Sequence, residues 1–246
     1  SSGKLVWRLG RSEDTRSIAY GLAFTAPPTP AGGLLVAPAV RESGFYLVGI
    51  THEGSIEWLT RLYSFNSSYY QLYGNKFLGG SSLAASGGIV YTAPGNGMIC
   101  SVDAIDGRLL WMTRYRSTNR ERQNYTWVHS QPIAVSGPGG PVVLAAPPDS
   151  DYLSCFAADS GKLLWERSFP ETGNQLLGAD KEKIYIAGAS ASAMSAPWST
   201  TSTVWMTSSV AAGVAPNRFG SVLVNEYEAA PVASVSRRDV VAETTV

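Results

Sequence analysis

The sequence predicts an all-β chain built from repeated antiparallel sheets, and two markers that recur at one spacing carry that prediction. In four segments a glycine precedes a tryptophan by four residues: Gly3 and Trp7, Gly54 and Trp58, Gly107 and Trp111, Gly161 and Trp165. These tryptophans are 51, 53 and 54 residues apart. A glycine pair followed by a β run and a proline keeps the same period: Gly32-Gly33, Gly87-Gly88 and Gly139-Gly140. Two independent markers at one period indicate an internal repeat.

Each repeat divides into four short strands separated by turns that are rich in Gly, Asp and Ser. In the third unit the predicted strands are Ser82–Ser86, Ile89–Ala93, Met98–Ala104 and Arg108–Tyr115. In the fourth unit they are Pro132–Ser136, Pro141–Ala145, Tyr152–Ala157 and Lys162–Phe169. No stretch has a helical period with caps. We therefore predict a partial β-propeller of four-stranded antiparallel blades, with about four to five blades visible.

The glycine and the tryptophan of each repeat have structural roles in this prediction. The glycine falls in the turn between the third and fourth strands, where a positive φ is expected. The tryptophan lies on the outer strand and offers a large flat surface that covers the neighbouring blade. A single blade cannot bury both of its faces, whereas stacked blades can.

The repeat is clear in the first three quarters of the chain and fades afterwards. Blades are expected at about 22–63, 77–116 and 127–170, and a further one begins at Gln175. We assign residues 1–187 to blades and residues 188–246 to a degenerate blade or a poorly ordered tail. The 34 residues 184–217 contain no charged side chain. A reading frame disturbed after about Gly188 is the alternative explanation.

Net charge, apolar runs and cysteine content limit the kinds of protein that this sequence can encode. Lys and Arg balance Asp and Glu at 19 each, so the net charge gives no reason to expect nucleic acid. No apolar run is long enough for a transmembrane helix, and no signal peptide is visible at the start. Cys100 and Cys155 are expected to be small buried apolar residues, although a disulfide between them stays open.

The run from Ser101 to Trp111 resembles the tryptophan-docking motif of the pyrroloquinoline-quinone-like, or quinoprotein-dehydrogenase-like, β-propellers. That motif has a small residue first, Asp third, Gly seventh and Trp eleventh. The run Cys155–Trp165 keeps this pattern except for Ala157 in the third place, and Val48–Trp58 has Ile50 there. The same repeat occurs in enzymes, in assembly scaffolds of the outer membrane and in secreted proteins. The resemblance therefore implies an extracytoplasmic location, periplasmic or secreted. Kelch repeats have a similar period, but their glycine pair follows a strand, whereas the pair in this sequence precedes one. The kelch family is therefore the less favoured resemblance.

The resemblance also implies what an active quinone enzyme would contain. Such enzymes are expected to hold the quinone between a tryptophan and a disulfide of adjacent cysteines, with a Ca²⁺ ion bound by oxygen ligands. The two cysteines here lie far apart in sequence, and no carboxylate cluster has a ligand spacing. His52 and His129 do not suggest a metal site, and Asp149 and Asp151 are interpreted as solvated turn residues. We expect no catalytic residue, cofactor or metal.

The repeat is longer than a compact four-stranded blade requires, and the excess lies between one outer strand and the next inner strand. Connections of this kind emerge on one face of a propeller. They are rich in Tyr, Trp and Arg, which dominate binding hot spots. The candidate binding residues are Tyr69, Tyr70, Tyr73, Arg116, Arg120, Arg122, Tyr125 and Trp127. The alternative is that these aromatic residues only anchor long loops.

These observations favour a non-catalytic propeller that binds or scaffolds a protein or polysaccharide partner through one loop face. The second interpretation is a fragment of a quinone-dependent dehydrogenase. Clustered Ca²⁺ ligands would favour the enzyme, and a channel without a cofactor site would favour the binding module.

Overall fold

The described part of the chain consists of strands and turns arranged in four antiparallel sheets. The computed structural model describes residues 5–9, 16–64, 83–95, 97–117, 131–137, 139–147, 149–168, 175–180, 183–187, 190–195 and 208–209. None of these residues forms a helix that is long and apolar enough to cross a membrane. We number the four sheets as blades I to IV in chain order.

Blade I has an interrupted inner strand. Its strands are β1 (Ala23–Phe24), β2 (Thr29–Ala31), β3 (Leu34–Arg41), β4 (Gly44–Ile50) and β5 (Ile56–Ser64). Both β1 and β2 pair with β3, and the break between them contains Pro27 and Pro28. Proline has no N–H to donate to a ladder, so the inner strand is split at this point.

Blades II and III each contain four strands in sequential order, as the repeat predicts. Blade II contains β6 (Ala84–Ser86), β7 (Ile89–Thr92), β8 (Met98–Asp103) and β9 (Leu109–Arg114). Blade III contains β10 (Ile133–Gly137), β11 (Gly140–Ala145), β12 (Tyr152–Ala157) and β13 (Leu163–Ser168). The observed bounds differ from the predicted ones by two residues at most. The all-β, four-stranded blade architecture is therefore confirmed.

Blade IV lies in the region where the sequence pattern fades. Its strands are β14 (Gln175–Ala179), β15 (Lys183–Ala187), β16 (Ser190–Ser195) and β17 (Ser208–Ser209). The sheet begins at Gln175, where the sequence predicts it. The boundary at residues 187 and 188, and the nature of the segment beyond it, stay predictions because most residues after 195 lie outside the described ranges.

The core lies between successive blades rather than within one sheet. One buried cluster joins blades I and II and includes Leu47 and Leu83. A second joins blades II and III around Tyr91 and Phe156, and a third joins blades III and IV. Four consecutive residues of β8 and four of β12 are fully buried, so both faces of these strands are covered. Sheets buried on both faces are stacked sheets, which is the arrangement of propeller blades.

Candidate functional site

The two ends of each sheet differ in what they carry. One end, which we call the turn edge, carries the glycine-pair hairpins and the turns that hold Gly54, Gly107 and Gly161. The opposite end, which we call the connection edge, carries the middle turn of each blade and the connections between blades. The last outer-strand residues pair beside the middle turns, as Met98 with Arg114 and Tyr152 with Ser168. The connections therefore leave each blade at the connection edge.

At the turn edge, Trp7, Trp58 and Trp111 each contact a glycine in the turn of the blade that follows. The Trp58 indole N–H donates to the Ala104 carbonyl at 3.1 Å. A Cβ on Gly107 would lie 2.5 Å from the Trp58 ring, and this glycine has a φ of +73°. Only glycine satisfies both the backbone angle and the close approach of the ring.

The same contact recurs at two other junctions. The Trp111 indole N–H donates to the Ala158 carbonyl at 2.9 Å and covers Gly161. The Trp7 indole N–H donates to the His52 carbonyl at 2.8 Å and covers Gly54. Trp165 is half-buried against the cluster between blades III and IV, and Gly3 lies outside the described residues.

In blade I the docking motif begins at Gly49, one residue later than the predicted start at Val48. Trp58 pairs with Gly49, whereas Trp111 pairs with Ser101, because the blade I turn is one residue shorter. The small first residue is therefore Gly49, and a Cβ there would lie 2.3 Å from the Trp58 ring. The third place belongs to Thr51 rather than Ile50. The Thr51 hydroxyl accepts hydrogen bonds from the backbone N–H groups of Glu53 and Ser55. The Asp103 carboxylate has the corresponding role in blade II, where it accepts from the Ile105 N–H.

At the connection edge, a polar clasp joins blades II and III. The Tyr115 hydroxyl donates to one Asp149 carboxylate oxygen at 2.6 Å, and the Gly97 N–H donates to the other at 2.9 Å. Tyr115 is buried. Its pKa lies well above the ordinary tyrosine value because of burial first and the nearby Asp149 charge second. The interpretation of Asp149 as a solvated turn residue is therefore wrong, since its carboxylate bridges two blades.

The clasp extends to the start of the connection that follows β9. The Ser150 hydroxyl donates to the Arg116 carbonyl at 2.6 Å, and the Ser117 hydroxyl donates to the Asp149 carbonyl at 3.2 Å. The Arg116 guanidinium lies over the Tyr152 ring, 4.6 Å from its centroid. Blade III therefore holds the first residues of a connection that blade II supplies.

The far end of the same connection is also tethered. The Gln131 side-chain amide donates to the Leu83 carbonyl at 2.6 Å, and the Thr29 hydroxyl donates to the same carbonyl at 3.4 Å. Residues from blades I and III thus meet at the first residue before the inner strand of blade II. Both stems of the segment 118–130 are held by neighbouring blades, although the segment itself lies outside the described residues.

Among the predicted binding residues, only Arg116 lies within the described ranges, where it is exposed and stacked on Tyr152. The other seven lie outside them: Tyr69, Tyr70, Tyr73, Arg120, Arg122, Tyr125 and Trp127. Sequence reasoning missed Asp149, Ser150 and Gln131. No periodic signal marks these residues, because the partners of their side chains in blade II lie 34 to 52 positions away in the chain.

Groups suited to redox or metal chemistry are few in the described ranges. Cys100 and Cys155 are buried separate thiols, and burial raises the pKa of each to about 12. His52 is exposed in the turn before Gly54, and His129 lies outside the described residues. Within those ranges no three His, Cys, Asp or Glu side chains come together as a metal site.

A family model described as outer membrane protein assembly factor BamB matches residues 1–207. The crystal structure of BamB from Moraxella catarrhalis is 17% identical, with a TM-score of 0.52 over 76% of this chain and 54% of that chain. This chain thus spans about half the length of that protein. No curated protein matches the chain.

Two dehydrogenases also align with part of the chain. A europium-containing methanol dehydrogenase is 14% identical over 60% of this chain and 26% of its own, with a TM-score of 0.42. A quinohemoprotein alcohol dehydrogenase from Comamonas testosteroni is 18% identical over 59% and 21%, with a TM-score of 0.38.

Proposed function

Because the chain belongs to the PQQ-like repeat β-propeller family described as outer membrane protein assembly factor BamB, we propose that it is a non-catalytic binding or scaffolding module. Its partner is a protein or a polysaccharide outside the cytoplasm. The name of the family model supports a protein partner and an extracytoplasmic location. The partner binds at the connection edge.

The observation that carries this proposal is the tethering of the connection between blades II and III. Tyr115, Ser117 and Arg116 fix its first residues on blade III, and Gln131 fixes its last on Leu83. A loop whose stems are held loses less conformational entropy when it binds than a free loop does. Blade packing does not require a connection of this length.

The composition of the connection fits binding better than bracing. Residues 118–130 include Arg120, Arg122, Tyr125 and Trp127. Tyrosine, tryptophan and arginine offer flat apolar area, cation–π partners and directed N–H or O–H donors. A face with these groups holds an extended peptide or a glycan.

The test separates binding from folding. Because the proposal gives Tyr125 and Arg122 a role in binding and none in folding, replacing both by Ala should change the free energy of unfolding by no more than about 0.5 kcal/mol. The same change should weaken capture of a partner identified by pull-down by roughly 1–2 kcal/mol or more. The matched control is Arg108→Ala, which alters an exposed arginine at the turn edge. A lower melting temperature with unaltered capture per folded molecule would reject the binding role.

Quinone-dependent catalysis is the competing function, and it makes a distinct prediction. The Ca²⁺ site and cysteine pair of such enzymes have no counterpart in the sequence pattern, so we propose that the chain does not bind pyrroloquinoline quinone. Titration of the purified chain with the quinone and Ca²⁺, followed by absorbance, tests this. Saturable micromolar binding with alcohol- or sugar-dependent dye reduction would favour the enzyme.

A further inference from the structure

Four arginines lie at the connection edge of blades I and II, and we call them the arginine rim: Arg41 at the end of β3, Arg61 on β5, Arg114 at the end of β9 and Arg116 just after it. Arg61 and Arg114 occupy the same place in successive blades, three residues after the docking tryptophan. Arg61 pairs across the sheet with Tyr46, and Arg114 pairs with Met98. The repeat therefore places a cation at the same point of blade I and of blade II.

The rim arginines of blade I are held by an aromatic ring. The guanidinium carbons of Arg41 and Arg61 lie 5.2 and 6.0 Å from the centroid of the Tyr46 ring. Gly44 makes room for this stack, because a Cβ there would lie 2.6 Å from the ring. The Arg41 side chain also donates to the Ile18 carbonyl at 3.2 Å. A guanidinium carries five N–H donors, so a contact with a ring leaves donors for a carboxylate.

The rim differs from the turn edge in its counter-charges. Arg108, at the turn edge, forms ion pairs with Asp103 and Asp106, both at 3.7 Å. In the described part of the chain, no rim arginine forms such an ion pair.

The carboxylates near Arg116 keep their negative charge, but they belong to blade III rather than to blades I and II. The Asp149 carboxylate binds Tyr115 and Gly97, and Glu166 accepts hydrogen bonds from the Arg116 N–H and the Ser154 hydroxyl. Glu42 is exposed in the turn beside Arg41. Among the described residues at the connection edge of blades I and II, the four rim arginines are therefore accompanied by one carboxylate, Glu42, on a chain whose net charge is zero.

We propose that the arginine rim binds an acidic, extended protein segment that runs across blades I and II. The inference rests on the proposed function, because it names the class of partner for the same edge. Charges that repeat from blade to blade match a chain that carries carboxylates along its length. The attraction is local, so it weakens as salt shortens the screening length below about 8 Å.

The test uses the full chain and a fluorescein-labelled peptide in which glutamates alternate with glycine and serine, followed by fluorescence anisotropy. The variant Arg61→Gln, Arg114→Gln, Arg116→Gln should bind this peptide about tenfold more weakly than the unaltered chain. Arg108→Gln is the matched control and should bind like the unaltered chain. A peptide with glutamine in place of glutamate should not bind. Melting temperatures of both variants verify that they are folded.

A charge reversal gives a second readout that does not depend on loss of binding. The variant Arg61→Glu, Arg114→Glu should gain affinity for a matching lysine peptide. Equal binding of the glutamate peptide by the triple variant and the unaltered chain would overturn the proposal. So would rim-dependent binding of phosphatidylglycerol vesicles without peptide binding, which would assign the rim to lipid. Partner capture that still depends on Tyr125 and Arg122 would then show that the proposed function survives.

Discussion

The turn edge and the connection edge of the same sheets are built on different principles. At the turn edge, one contact recurs from junction to junction, with an indole N–H on a carbonyl and an aromatic ring on a glycine. At the connection edge, the junctions differ from one another. Tyr115 donates to Asp149 between blades II and III, whereas the equivalent residue between blades I and II is the buried Leu62.

This difference separates assembly from recognition. A contact that recurs at successive junctions is what stacked blades need to bury their faces. A contact made at one junction is not required by stacking, and here it holds both ends of the connection between blades II and III. The two edges should therefore differ in how much each contributes to the free energy of unfolding.

The largest effect is expected at the turn edge, from Trp58→Ala. Trp58 is buried and contacts both Gly49 and Gly107, so its truncation leaves a cavity between blades I and II. We expect a loss of about 3–5 kcal/mol in the free energy of unfolding, measured by urea denaturation. Trp111 is only half-buried, and Trp111→Ala should cost less. Equal and small losses for both variants would mean that the tryptophans do not join the blades.

Three glycine variants divide the docking contact into its parts. A Cβ added at Gly107 would lie 2.5 Å from the Trp58 ring, and Gly107 has a φ of +73°. Gly88 has a φ of +79°, but an added Cβ there would have no neighbour within 4 Å. Gly139→Ala has neither constraint. Thermal denaturation should rank the losses in that order, with Gly88→Ala near 1 kcal/mol and Gly139→Ala near zero. If Gly107→Ala costs no more than Gly88→Ala, the ring contact contributes nothing.

The clasp at the connection edge should contribute less than a docking tryptophan. Tyr115→Phe removes the hydroxyl that donates to Asp149, and we expect a loss of about 1.5–3 kcal/mol near pH 7. Burial raises the pKa of Tyr115, so the unfolded chain ionises first as pH rises above about 10. The stability advantage of the natural residue is therefore complete below that pH and declines above it. Urea midpoints of both proteins at pH 8 and pH 11 measure the change; a constant difference would contradict it.

The repeat was predictable from the sequence because it depends on local and periodic signals. A glycine followed four residues later by a tryptophan, as Gly107 and Trp111, indicates a turn and a docking strand. The one-residue shift at Gly49 and Thr51 was not predictable, because a shortened turn leaves the glycine–tryptophan spacing intact. The clasp of Tyr115 and Asp149 was not predictable either, since it joins unlike residues from two blades at a single junction. The binding roles of Tyr125 and its neighbours stay predictions.

The most direct test of the central claim is a hydrogen–deuterium exchange map of the chain with and without the partner that pull-down identifies. In this account the partner binds at the connection edge, whereas the contacts of the turn edge only hold the blades together. Added partner should therefore slow exchange in residues 115–131 and leave the hairpins at Gly87-Gly88 and Gly139-Gly140 unchanged. Slower exchange at those hairpins, with none at residues 115–131, would contradict the account.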